Sequence, residues 1–273
     1  MNYDGIKEVT FSHDEMANFY QHMEVPEGML ENQYLLVRDS DGAPVDNYII
    51  KNGKLEKVGY LTFYSSFCGK LKPRNPEQIF AWDLLKREDI PIKLLTGKFG
   101  VGKSLAIINA AMEALEKNKF DKIIFIRNNV QVKATDPLGA LPGSLYDKTV
   151  DYLMPFADHC GGVDGIKALM EQDKLEVIPL AFLRGRSIRN SIIYSMESEN
   201  LTKEHIQLIM GRVDEGSQLW MDGDLKQRDK EIFEKSRGLE MMIERLSGNP
   251  LFGHVHLKKS ERSEVARLAD LLD

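Results

Sequence analysis

The stretch that most constrains this chain is Gly97-Lys98-Phe99-Gly100-Val101-Gly102-Lys103-Ser104, a glycine, four free positions and then Gly-Lys-Ser. A glycine-rich loop of this spelling turns backbone N–H groups inward around phosphate oxygens. The helix that follows offers the positive end of its dipole to the same charge. Lys103 is expected to reach the β- and γ-phosphates of a nucleotide, and Ser104 to give its hydroxyl to the Mg2+ that travels with it. Such a loop needs a buried strand entering it and a helix leaving it. Ile92-Lys93-Leu94-Leu95-Thr96 is a mostly apolar run of strand length, and Leu105 through Leu115 carries apolar residues at helical spacing among good helix formers. The expected nucleotide contacts are therefore Gly97, Lys98, Phe99, Gly100, Val101, Gly102, Lys103, Ser104 and Leu105.

With 273 residues, 42% of them hydrophobic, the chain can bury a sizeable core in one large domain or a main domain with a smaller attachment. No apolar segment follows a basic start, and no apolar run approaches membrane-spanning length. Neither a signal peptide nor a membrane helix is expected, and the cytoplasm is the default location. The two cysteines, Cys68 and Cys160, lack paired-ligand spacing, so they read as plain thiols rather than a zinc site or a disulfide framework. The formal charge of −6 argues against a globally basic nucleic-acid coat, while leaving room for a local basic channel.

Residues 1–70 have short, β-like apolar runs: Gln33 to Arg38, Asn47 to Ile50 and Val58 to Tyr64. Asp39-Ser40-Asp41-Gly42 and Asn52-Gly53 punctuate them, the second being a strong hairpin signal. Ser12 with Glu15 predicts a capping box at the start of a short helix. This region is expected to be a small antiparallel appendage. Lys70-Leu71-Lys72-Pro73-Arg74-Asn75-Pro76 then reads as a basic connector, with helix from Glu77 onward. The main domain is placed at 71–273. Its strands are expected at Lys122 to Arg127, Leu175 to Ala181, Ser191 to Met196, Gln218 to Met221 and Phe252 to Leu257, besides the one entering the loop. Strands alternating with helical stretches argue for an α/β fold, a mainly parallel sheet covered by helices.

Several motifs in order give the chain a resemblance. They are Asn32-Gln33-Tyr34-Leu35, Lys72-Pro73-Arg74-Asn75-Pro76-Glu77-Gln78, the glycine loop, Leu141-Pro142-Gly143, Pro179 to Arg186, Asn200-Leu201-Thr202 and Gly223-Asp224-Leu225-Lys226-Gln227. Together they are similar to the PhoH-like family of P-loop ATPases, and the N-terminal part resembles the segment that joins a PIN nuclease domain to the ATPase in fused members. The start is expected to be too short to hold a PIN domain, so ribonuclease activity is not carried over. The resemblance implies a RecA-like core, ATP hydrolysis with Mg2+, a homo-oligomeric ring such as a hexamer, no membrane, and in some members unwinding of RNA.

Residue by residue, the resemblance implies that Gln78 reads the adenine; its amide can donate and accept together. Asp224 and Gln227 would sense the γ-phosphate from a strand's carboxyl end, with Asp224 a further candidate for the metal. Arg262 is the first choice for the arginine that offsets developing negative charge, followed by Arg127 and by Arg184 or Arg186. The chain departs from the family pattern at one point. Where the pattern has an Asp-Glu pair before Gln-Asn, this chain reads Met196-Glu197-Ser198-Glu199-Asn200. Glu197 keeps the place of the residue that activates water, but a Met196 thioether is a poor ligand for a hard cation. Metal binding would then lean on Ser104, phosphates and water, or on Asp224 or Glu199.

Basic residues Lys70, Lys72, Arg74, Arg184, Arg186 and Arg189, with Phe182 as a stacking surface, suit single-stranded RNA or DNA. The leading expectation is an ATPase acting on single-stranded nucleic acid. Its rival is a nucleotide-binding regulator or scaffold with little turnover, and a small-molecule kinase comes third.

Overall fold

The computed structural model of the protein describes residues 3–127, 153–225 and 237–260. It begins with β1 (Ile6–Thr10) and α1 (His13–His22). The Ser12 hydroxyl accepts the Glu15 N–H, and the Glu15 carboxylate accepts the Ser12 N–H at 2.8 Å, forming the expected capping box. Next come β2 (Tyr34–Arg38), β3 (Pro44–Lys51) and β4 (Lys54–Lys57), joined in a sheet of order β1-β2-β3-β4. Strands β2, β3 and β4 are antiparallel, while β1 lies parallel to β2. Lys51 pairs with Lys54 across Asn52 and Gly53, both with positive φ (51° and 70°), the backbone that a two-residue hairpin turn requires. Phe19 of α1 packs on Leu35, Val37 and Tyr48, so one face of this small sheet is a core of its own.

The expected strand over Val58 to Tyr64 is not formed. Val58 keeps one bond, N–H to the Asn47 carbonyl, and the chain then leaves the sheet at Gly59. Strand structure resumes as the hairpin β5 (Phe63–Ser65) and β6 (Gly69–Leu71), which takes up part of the stretch read as connector. Glu116 anchors this hairpin, accepting from the hydroxyls of Ser65 and Ser66.

The remaining elements alternate as the sequence predicts. They are α2 (Pro76–Lys86), β7 (Ile92–Gly97), α3 (Lys103–Glu116), β8 (Lys122–Arg127), α4 (Met154–Ala157), α5 (Gly162–Glu171), β9 (Leu175–Pro179), β10 (Ser191–Ser195), α6 (Lys203–Met210), β11 (Gln218–Gly223), α7 (Gly238–Leu246) and β12 (Phe252–Leu257). Strands β7 to β12 make a six-stranded, all-parallel sheet of RecA-like α/β type, in the order β12-β7-β11-β10-β8-β9. Every residue of β10 and β11 is buried, the near-continuous burial that a parallel sheet covered on both faces demands. Four strand ends differ from expectation: β7 runs on to Gly97, β9 stops at Pro179, β10 stops at Ser195, and β11 runs on through Asp222 to Gly223.

The chain divides into two units, Met1–Thr62 with Lys72–Lys103 and Met242–Asp273, and Phe63–Leu71 with Ser104–Met241. In the first, the Asn32 amide donates to the carbonyls of Asn249, Pro250 and Phe252, fastening the N-terminal region to the start of β12. The buried Lys93 ammonium donates to the carbonyls of Leu85 and Arg87, closing the C-terminal end of α2. In the second, the sulfurs of Cys68 and Cys160, 92 residues apart in sequence, approach to 3.5 Å, both as free thiols. Among the described residues, no helix is long and apolar enough to cross a membrane.

Candidate functional site

The loop after β7 has the backbone that its spelling calls for. Gly97, Gly100 and Gly102 have φ of 147°, 81° and 93°, conformations open to glycine. Gly97 also has no room for a side chain: a Cβ there would lie 2.2 Å from the Leu257 carbonyl oxygen of β12. Lys98 and Phe99 stand exposed, Phe99 at 74%, and Val101 is buried. The Lys103 ammonium folds back over the loop, donating to the carbonyls of Gly97 (2.6 Å) and Lys98 (3.0 Å). Helix α3 starts at Lys103, so Ser104 and Leu105 occupy its first turn.

Gln78 lies against this loop. It is buried in α2, its Oε1 accepts from the Arg74 N–H at 2.8 Å, and its amide nitrogen donates to the Val101 carbonyl at 3.4 Å. The Asn75 side chain caps α2 by accepting the Gln78 N–H, which fixes the turn on which Gln78 sits.

In the second unit the Ser104 hydroxyl donates to Asp222 at 2.5 Å. Asp222 is 2% exposed. Its Oδ2 also accepts from the Tyr194 hydroxyl at 3.0 Å, and its Oδ1 from the Glu197 N–H at 2.9 Å. Burial first, and then the Asp222 charge, push the Tyr194 phenol well above its ordinary range, so Tyr194 stays a donor. Glu197 follows β10 with φ 51°, an uncommon conformation for a residue with a side chain, and its carboxylate is on the exposed side. Met196 beside it is half-buried. Glu199 sits deeper: burial raises its pKa to about 7, and it accepts the Asp224 N–H at 3.1 Å. Gly223 makes that approach possible, because a Cβ there would stand 3.0 Å from the Glu199 Oε2.

Within the first unit the structure sets Gln78 on the loop and Lys103 across it; within the second, Glu197 and Asp224 follow the carboxyl ends of β10 and β11, the edge where open α/β sheets bind ligands. Gln227, Arg262 and the Leu141-Pro142-Gly143 motif lie outside the described residues, and of Arg127 only the backbone, at the end of β8, is described. Two of the basic side chains are engaged, Arg186 with Glu176 at 2.7 Å and Arg189 with Asp214 at 3.0 Å, while Phe182 is 72% exposed. Sequence reasoning missed Asp222, because it ended the strand at Met221. The signal was there, since the apolar run meets an acid immediately before Gly223-Asp224.

The donor types suit a nucleotide with Mg2+: a glycine-rich loop and an ammonium are partners for phosphate oxygens, and in the second unit a hydroxyl and a carboxylate are hard oxygen partners for the cation. Comparisons with known proteins agree with this chemistry. A family model described as PhoH-like protein matches residues 70–270. Protein PhoH2 of Bacillus subtilis is 30% identical over 99% of this chain and 64% of its own length. Protein PhoH2 of Mycolicibacterium smegmatis is 35% identical over 72% of this chain and 46% of its own length. A PhoH-like protein of Bacillus subtilis is 34% identical over 60% of this chain and 51% of its own length. The chain spans between about half and two-thirds of the length of these relatives.

Proposed function

The chain belongs to the PhoH-like protein family, and on that premise we propose that it binds ATP with Mg2+ at Gly97–Ser104 and hydrolyses it while acting on single-stranded nucleic acid, RNA first. The observation that carries this reading is the glycine loop itself, with Lys103 laid over its carbonyls and Ser104 opening α3. Bound phosphates would take the Lys103 ammonium from those carbonyls, and the loop N–H groups would face their oxygens. Gln78 would present its amide to the base, and Glu197, exposed after β10, would activate the attacking water. Asp224 and Gln227 would sense the γ-phosphate, and Arg262, Arg127, Arg184 or Arg186 would stabilise the transferring charge, from a neighbouring copy if the chain assembles as a homo-oligomeric ring. Phe182, exposed among arginines, would stack a base.

A second reading rests on Met196: with a thioether at the end of β10, the chain would bind ATP and regulate or scaffold without turning it over. Steady-state hydrolysis, with and without single-stranded RNA, separates the two. We expect turnover raised by RNA, and loss of nucleotide binding in Lys103→Ala. ATP affinity unchanged in that variant would overturn the site, and absent turnover with intact binding would favour the regulator.

A further inference from the structure

A cation that accompanies nucleotide phosphates needs oxygen ligands from the protein beside the loop hydroxyl. Just past the end of β10 stand the Met196 thioether and the outward Glu197, while the Glu199 carboxylate beyond them is turned to the Asp224 N–H. The neighbouring strand offers something else. Parallel pairing of β10 and β11 brings Ser195 opposite Met221, so the next residues, Met196 and Asp222, stand side by side at adjacent strand ends. The carboxylate that touches Ser104 comes from there.

We propose that Asp222 is the cation-positioning carboxylate of this site: with the Ser104 hydroxyl it holds the Mg2+ of the bound nucleotide, supplying from β11 the charge that Met196 does not supply from β10. The inference rests on the nucleotide reading above. Three features make Asp222 suited to the task. Its Oδ2 already lies on the hydroxyl that the cation would share, at 2.5 Å. Tyr194 and the Glu197 N–H hold its two oxygens from the side of β10, so its orientation is set before any ligand arrives. Its burial at 2% exposure removes competing water, which strengthens its pull on a divalent charge. Tyr194 is then a positioning residue, acting through Asp222 together with the Glu197 backbone N–H, and Met196 is tolerated because the carboxylate comes from one strand sideways.

The test uses the whole chain and a fluorescent, non-hydrolysable ATP analogue, titrated in Mg2+ and in EDTA, together with electron paramagnetic resonance of Mn2+ added with the same analogue. Native protein should bind the analogue more tightly with Mg2+ and immobilise Mn2+. Asp222→Asn keeps the shape and should lose about tenfold or more of the metal-dependent affinity, while its affinity in EDTA stays near native. Adding Met196→Asp to Asp222→Asn should restore part of the loss. Tyr194→Phe, which removes one hydrogen bond to the same carboxylate, covers the case in which Asp222→Asn does not fold, and should weaken the metal-dependent part severalfold. Native metal dependence in Asp222→Asn, or in Tyr194→Phe where the first variant is unfolded, overturns the inference. So does native binding that is equal in Mg2+ and EDTA, which leaves the nucleotide reading standing. An analogue bound under neither condition overturns both.

Discussion

Thr96, the last residue before the loop's first glycine, holds two imidazoles with one hydroxyl: His254 Nε2 at 2.7 Å and His256 Nδ1 at 2.8 Å. Burial, with the nearby His256 as a lesser cause, lowers the His254 pKa to about 3. The unfolded chain would bind a proton there near pH 6.5, so between roughly pH 6.5 and 3 the unfolded state carries more protons. This contribution is fully present above pH 6.5 and is lost progressively as the pH falls. Urea melts should therefore show the native protein weakening between pH 7 and 5, and His254→Gln, itself less stable at pH 7, losing part of that slope; an unaltered slope would refute the assignment. At this scale the glycine loop was legible in the sequence because its chemistry is backbone chemistry contained in eight consecutive residues. Asp222 was not, because its meaning comes from Ser104, 118 residues away, and from which strands are neighbours.

Elements were read well where one interaction dominates. The runs at Lys122–Arg127 and Phe252–Leu257 are strands over those same residues; burial on both faces leaves Ile123 to Ile126 as an unbroken apolar signal, and in the second run Phe252, Val255 and Leu257 carry it around two histidines. Strand β1 escaped notice because Lys7 and Glu8 interrupt its short apolar pattern, and β5 and β6, three residues each, carry too little periodicity to register. Strand β11 was cut short because acids are depleted in strands, a preference that a buried site overrides. Where β7 meets the loop, pairing with β12 runs to Gly97 opposite Leu257, whose carbonyl oxygen fills the place of a Gly97 side chain. Gly97→Ala would set a methyl group against that carbonyl in a φ region that alanine avoids. We expect a loss of roughly 3 kcal/mol or more in chemical denaturation, with nucleotide binding impaired as well. A cost near that of a surface alanine would mean that the two strands can part without penalty.

For the whole molecule, a ligand that binds only the folded chain raises its stability by mass action. ATP with Mg2+ at a hundredfold excess over Kd should add about 2.7 kcal/mol, a thermal shift of several degrees. Lys103→Ala should erase that shift and leave the unliganded melting temperature near native, because Lys103 is only half-buried and its ammonium donates to carbonyls of its own loop. The fold class was legible from the alternation of strands and helices. The sheet order and the contacts it creates were not, because they join residues far apart in the chain. The meeting of Cys68 and Cys160 is such a contact, and its consequence is redox chemistry. The Cys160 thiol lowers the Cys68 pKa, and Ser65 adds to the effect, favouring Cys68 as the attacking thiolate. With a small disulfide as oxidant, Cys68 would expel one thiol and form a mixed disulfide; Cys160 would then attack the Cys68 sulfur and expel the second. The resulting bond would close a covalent ring across a separation of 92 residues, worth about 4 to 5 kcal/mol in the chain-entropy account. Alkylation followed by mass analysis should find both thiols gone in the oxidised native protein and the bond unable to form in Cys160→Ser, whereas two thiols still reactive after long oxidation would show that the two sulfurs touch without bonding.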